Sequence, residues 1–226
     1  MTQLEYKLHI DSIIERVEKA RLGVGVNGHH IVKIVAVSKY STSEEIKALY
    51  EIGQRAFGEN KVQDLAKKAE ELDEFPLEWH FIGNLQKNKI NQLIKINPFL
   101  FQSLDSLDLA LELDKRLEAH GSKMEALLQI NSAYEETKSG VMPEAAIDTY
   151  NEIASTCKNI HLKGVMSIGA HTDDKDIVKK SFETTHDIYT KLDGATICSM
   201  GMSGDFELAI SCGSNMVRIG SLMFNK

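Results

Sequence analysis

Apolar residues recur along the chain in two alternating periods. From Thr2 to Leu22 the positions Leu4, Leu8, Ile10, Ile13, Ile14, Val17 and Ala20 return at helical spacing, so an amphipathic helix that stops at Gly23 is predicted to lead the chain. The β-branched run Ile31 to Val37 follows and ends in Ser38 and Lys39. A continuous apolar run of this kind marks a strand covered on both faces, as in parallel sheets. The two signals then alternate. Further strands are predicted at Arg55–Gly58, Glu78–Gly83, Pro98–Ser103, Glu125–Asn131, His161–Ile168, Ala195–Met200 and Asn215–Gly220. Helices are predicted at Ser43–Ile52, Asn60–Leu72, Leu85–Ile96, Ser106–His120, Pro143–Cys157, Asp174–Lys191 and Gly204–Cys212. Eight strand–helix alternations joined by short connections favour an α/β fold, a single (β/α)8 TIM barrel with an extra N-terminal helix, over an open doubly wound sheet.

Composition agrees with that picture. A chain of 226 residues with 42% hydrophobic and 26% charged residues has enough material for one barrel, and only three prolines and no linker-like tract leave residues 1–226 to be read as a single domain. The formal charge of −7 gives no general attraction to nucleic acid or to an anionic membrane surface. Cys157, Cys198 and Cys212 are far apart and include no CxxC pair, which fits neither a disulfide framework nor a zinc site and suits a reducing cytoplasm. The start of the chain has no basic stretch followed by an apolar core, and no run reaches the length of a membrane helix.

In a barrel of this class the chemistry sits in the loops after the strands. Lys39 lies at that address on strand one, and Asn60 at the same rim after strand two, where it also suits a helix N-cap. His80, near the end of strand three, reads as an interior histidine held by backbone. Ser199-Met200-Gly201-Met202-Ser203-Gly204-Asp205 ends strand seven with small and hydroxyl residues that open a helix, and Arg218, Gly220 and Ser221 leave strand eight. Together they look like two halves of a phosphate cradle. His171-Thr172-Asp173-Asp174 reads as a helix start rather than a metal site, because adjacent side chains do not converge. Lys138 falls in the loop after strand five, either as a surface lysine or as a cationic step outside the deep site.

Several segments, in order, carry a resemblance: Ala36-Val37-Ser38-Lys39; Phe57-Gly58-Glu59-Asn60 with Gln63; His80-Phe81-Ile82-Gly83 with Leu85-Gln86 and Asn88-Lys89; Ser199-Met200-Gly201-Met202-Ser203; and Val217-Arg218-Ile219-Gly220. Across essentially the whole chain they resemble the pyridoxal phosphate homeostasis protein family, which is similar in fold to the barrel domain of alanine racemases. The resemblance implies that Lys39 holds pyridoxal 5′-phosphate as an imine and that Arg218 faces the pyridine nitrogen. It also implies that Gly220 and Ser221 offer amides to the phosphate, that Ser199 and Ser203 bind it with hydroxyls, and that Asn60 lies against the ring. Tyr40-Ser41 departs from the family, which more often has threonine and then a basic residue.

The chemistry of these residues suits retention. An imine forms from a neutral amine, so partial burial of Lys39 and positive charge nearby, from Arg218, are expected. A guanidinium does not give its proton to the pyridine nitrogen, so the ring stays a weak electron sink and the site favours holding the cofactor over carbanion chemistry. The expected function is therefore binding of pyridoxal phosphate and intracellular vitamin B6 homeostasis, with no reaction of its own. The expected partners are the cofactor and apo forms of the enzymes that use it, with the chain a monomer or weak dimer. The alternative is an amino-acid racemase; racemases of the resembled fold add a β domain that supplies a tyrosine base, whereas this sequence ends at Lys226, soon after Gly220. A class I aldolase acting through Lys39 on a sugar phosphate is the third reading that a lysine and a phosphate site allow.

Overall fold

The predicted alternation closes on itself. The computed structural model describes residues 2–23 and 31–224. In order it contains α1 (Gln3–Gly23), β1 (Lys33–Val37), α2 (Ser43–Glu51), β2 (Ala56–Glu59), α3 (Val62–Glu71) and β3 (Glu78–Phe81). A 3-10 turn at Lys87–Lys89 runs into α4 (Ile90–Ile96), followed by β4 (Leu100–Leu104), α5 (Leu107–His120), β5 (Met124–Ile130), α6 (Pro143–Thr156) and β6 (Ile160–Ser167). The chain ends with α7 (Lys175–Tyr189), β7 (Ile197–Met202), α8 (Phe206–Ser211), β8 (Met216–Ile219) and α9 (Ser221–Phe224). Every strand pairs in parallel with the next, and β8 returns to β1 in the register Lys33↔Met216 to Ala36↔Ile219, which completes an eight-stranded barrel. No helix among the described residues is long and apolar enough to cross a membrane.

Local chemistry explains the element ends. Thr42, one residue before the expected start, caps α2: its hydroxyl accepts from the Glu45 amide at 3.3 Å while the Glu45 carboxylate accepts from the Thr42 amide at 2.8 Å. Pro143 opens α6, where its missing N–H costs nothing. The Asp174 carboxylate accepts from the Asp176 and Ile177 amides, so the acidic pair after β6 is a helix cap, as read from the sequence. Asn60 is not a cap; Lys61 holds that position of α3 without a side-chain bond. On α1 the buried stripe is Tyr6, Ile10, Ile13 and Val17, whereas Leu4, Leu8 and Ile14 of the predicted stripe are exposed. Ile177, an apolar residue at the start of α7, lies on its outer side.

Two apolar layers share the strands. Phe57, Phe81, Phe101 and their neighbours fill the space between sheet and helices, while Val35, Ala56, Leu100, Leu127, Met166 and Met216 plug the barrel interior. Alternation along the strands then turns Gln102, Ser199 and Arg218 into the same interior, nearer the C-terminal ends, and this half of the lumen is polar. At Gly201, on β7, φ is +94° and an added Cβ would stand 2.8 Å from the Phe206 Cα, so only glycine lets α8 approach the strand this closely. Gly201→Ala should lower the unfolding free energy by about 2 kcal/mol. Urea denaturation checks this, and an unchanged midpoint would contradict the close strand–helix contact.

Candidate functional site

The polar half of the lumen opens at the C-terminal face into a cavity of about 450 Å³ lined by Lys39, Tyr40, Ser203, Arg218, Gly220 and Ser221 among others. That volume lies in the usual range for a small-molecule or cofactor site. Lys39 and Arg218 are the cations of its lining, and no carboxylate joins them. In a chain of net charge −7, this is a local concentration of positive charge.

Arg218 enters from β8 and is 4% exposed. Its Nη1 donates to the Ser199 carbonyl at 3.0 Å and to the Ser199 hydroxyl at 2.7 Å, and its Nη2 donates to the Ser167 carbonyl at 2.7 Å. All three acceptors are uncharged. Burial brings the guanidinium down to about 10, opposed by Asp205 and Cys198, so it is still a cation at neutral pH. No hydrogen bond within the described residues uses its Nε–H. Three of its five N–H donors are engaged, so the Nε–H and one Nη2–H are left on a fixed cation beside an open cavity.

A chain of hydrogen bonds continues below. Because the Ser199 hydroxyl accepts from Arg218, its own proton goes to Gln102 Oε1, at 2.7 Å. That turns Gln102 Nε2 toward His80 Nδ1, at 2.9 Å, and makes this ring nitrogen the acceptor. His80 is consequently neutral and carries its proton on Nε2, which is buried without a partner among the described residues. Burial, reinforced by Lys33, pushes the His80 pKa down to about 3. Its partner is thus a side-chain amide, where the sequence suggested backbone.

The remaining expected site residues divide. Ser203, Gly220 and Ser221 meet at the cavity: the Gly220 amide donates to the Ser203 hydroxyl at 3.2 Å, and the amides of Ser203, Gly204, Ser221 and Leu222 donate to nothing within the described residues. Two loop ends with free N–H groups facing one cavity make an anion cradle. Ser199 does not belong to it. Its side chain is fully buried and engaged by Arg218 and Gln102, so it supports the arginine instead of reaching a phosphate. Asn60 is partly buried at the end of β2 and is not among the cavity residues. Lys39 is exposed, contrary to the expected partial burial, and lies two residues beyond β1 with its ammonium 5.1 Å from the Tyr40 ring. The family departure at Tyr40 thus places an aromatic face beside the lysine.

A second cavity of about 930 Å³ shares Met202 and Gly204 with the first and is bordered by Lys138 and Asp205. Lys138 donates to Glu135 Oε1 at 2.8 Å and to the Gly169 carbonyl at 2.7 Å. With both contacts made its charge is balanced, and it ties the loop after β5 to the loop after β6 rather than standing as a free cation. Asp205 accepts from the Met202 amide at 2.6 Å, and burial raises its pKa. Gln102 and Asp205 were not singled out as site residues in the sequence; the signal for Gln102 was a polar residue within the apolar run of strand four.

Fold and site together define a lysine-bearing α/β barrel with an anion cradle after its last two strands, and the comparisons with known proteins agree. Residues 10–225 match the family described as alanine racemase, N-terminal domain. The pyridoxal phosphate homeostasis protein of Helicobacter pylori strain J99 is 56% identical over 223 residues, covering 99% of this chain and 100% of that protein. The Homo sapiens protein of the same name is 35% identical, over 86% of this chain and 76% of that one. The chain belongs to the pyridoxal phosphate homeostasis protein family. A solved structure of PipY from Synechococcus elongatus with pyridoxal phosphate bound is 29% identical with a TM-score of 0.78, over 93% of this chain and 98% of that one. Alanine racemase from Clostridium difficile 630, 17% identical with a TM-score of 0.71 over 92% of this chain and 56% of that one, shares the fold.

The depressed pKa of His80 has a thermodynamic consequence. The unfolded histidine protonates near 6.5 and the folded one only near 3, so the unfolded state binds the extra proton between these values. This contribution to stability is complete above the unfolded value and is lost as pH falls toward the folded one. Between pH 7.5 and 5 the parent should lose about 2 kcal/mol more than His80→Gln. Denaturant melts across that range test it, and parallel pH profiles would show that His80 is not held neutral.

Proposed function

We propose that this protein binds pyridoxal 5′-phosphate at the Lys39 cavity and contributes to intracellular vitamin B6 homeostasis, without a reaction of its own. The observation that carries the reading is the cavity lining: two cationic side chains, no acidic one, and the amides of Ser203, Gly204 and Ser221, unengaged among the described residues, on two adjoining loop ends. The names of the relatives and the cofactor in the PipY structure support it.

The residues present fit the group. Bound there, pyridoxal phosphate supplies an aldehyde, a phosphate and an aromatic ring whose nitrogen accepts a hydrogen bond. Lys39 provides the amine for a covalent link, and the free Nε–H of Arg218 is a donor for the ring nitrogen. Ser203, Gly204, Gly220 and Ser221 surround the phosphate with backbone N–H groups and hydroxyls. Asn60, partly buried just past β2, stands outside that lining and is not one of the groups that hold the cofactor in this reading. Ser199 acts through Arg218, whose position it holds. Because Arg218 is still protonated at neutral pH and bonds only to uncharged acceptors, it presents a fixed donor and passes no proton on, which suits storage. We place the protein in the cytoplasm, supported by the three free cysteines, as a single barrel domain, monomeric or weakly dimeric, that supplies apo forms of enzymes using the cofactor.

Lys39→Ala should leave the fold intact and abolish the borohydride-trappable adduct with pyridoxal phosphate, since the exposed side chain adds nothing to the core. Trapping that persists in the variant would move the covalent site elsewhere. Arg218→Glu should shift the absorbance of the bound cofactor and weaken its retention by about tenfold or more, through the loss of a buried cation's hydrogen bonds. Spectra and dialysis of the loaded protein report both, and an unaltered spectrum would remove Arg218 from the ring nitrogen. Assays of amino-acid racemisation on the same loaded protein should give no turnover above free cofactor.

A further inference from the structure

We infer that Glu59 and Lys68, an ion pair buried between the barrel wall and α3, are positioning residues that set the placement of Lys39. The inference rests on the reading of Lys39 as the cofactor's covalent anchor.

Lys39 is exposed and lies beyond the last residue of β1, so no core packing holds it. Its place is decided by the turn from Ser38 to Ser41, closed by the Ser41 amide donating to the Ser38 carbonyl at 2.8 Å. Every polar atom of Ser38 is engaged. Its amide donates to the Gly58 carbonyl at 3.0 Å, its hydroxyl donates to Glu59 Oε1 at 2.6 Å, and its carbonyl accepts from Lys68 Nζ at 2.7 Å. Lys68 Nζ also reaches Glu59 Oε1 at 2.6 Å, with the Glu59 side chain 0% and the Lys68 side chain 11% exposed. The cation of the pair is therefore bonded to the very peptide that joins Ser38 to Lys39.

Packing alone gives no reason for these charges. A buried ion pair contributes little over an apolar pair of similar volume, and here the second carboxylate oxygen of Glu59 is buried with no hydrogen-bond partner among the described residues. Both donors converge on Oε1 instead. What the pair accomplishes that an apolar pair does not is to fix a carbonyl and a hydroxyl at the root of the reactive side chain. An amine meeting an aldehyde held in a separate cradle depends on that root, because a misplacement of about 1 Å costs on the order of 100-fold in rate.

The test uses the whole chain with two probes, pyridoxal 5′-phosphate and pyridoxine 5′-phosphate. The second carries an alcohol in place of the aldehyde and so reads the cradle without Lys39. In Lys68→Met, formation of the borohydride-trappable adduct at Lys39 should slow by about tenfold or more, while affinity for pyridoxine 5′-phosphate stays within about twofold of the parent. Lys68→Arg should recover most of the rate, and Ser38→Ala, a small change that removes only the hydroxyl link to Glu59, should give an intermediate loss. Ser38→Ala decides the matter if Lys68→Met does not fold. Unchanged adduct formation in these variants would overturn the inference, as would equal loss of both probes, which assigns the pair to stability alone. A parent that binds neither probe would overturn the reading of the cavity itself, and the positioning role with it.

Discussion

The upper half of the barrel is arranged around one buried cation. A guanidinium at 4% exposure is far too costly without hydrogen bonds, and no carboxylate touches that of Arg218. Neutral acceptors hold it, the carbonyl of Ser167 from β6 and the carbonyl and hydroxyl of Ser199 from β7, so three adjacent strands are tied to one side chain. The constraint then propagates. Ser199 can donate only onward, Gln102 must present its oxygen to Ser199 and its nitrogen to His80, and His80 must stay neutral. A charge on β8 thereby fixes an amide orientation on β4 and a tautomer on β3.

Outside the wall a different solution appears. Glu59 and Lys68 balance each other in the layer between sheet and helices, outside the cavity lining, and their bonds end on the residue before Lys39. The two lysine environments contrast: Lys68 is buried and committed, Lys39 exposed and uncommitted. Between the inner network and the outer pair, the cation facing the cavity and the base of Lys39 are each held from behind. The front of the site is left to backbone amides and hydroxyls, groups that bind a phosphate without titrating.

The same barrel appears in alanine racemase at 17% identity, so the architecture does not settle the chemistry. What separates holding a cofactor from driving a reaction is the partner given to the ring nitrogen and the proton donors near it. Here the buried cation of the cavity is a guanidinium whose hydrogen-bond acceptors are uncharged, and the cavity lining contains no acid.

Much of this was present in the order of residues. The alternation of β-branched runs with helical stripes is enough for a parallel barrel, because each period can bury its apolar side only against the other kind of element. Lys39, Ser203, Arg218, Gly220 and Ser221 were legible as a set because the fold sends the ends of β1, β7 and β8 to one face, and β1 becomes the neighbour of β8 only on closure. The tertiary structure alone decided which hydroxyl lines the cavity and which meets an arginine: Ser199 and Ser203 are four residues apart in one motif, yet one is sealed inside the lumen and the other opens on the cavity. It also decided that Lys68, at a position spaced like Leu65 and Leu72 on the inner face of α3, is turned inward to a carboxylate instead of out to water. A one-dimensional pattern records which side of an element a residue occupies, whereas the partner that waits there comes from another strand or helix, and for buried polar groups that partner determines their role.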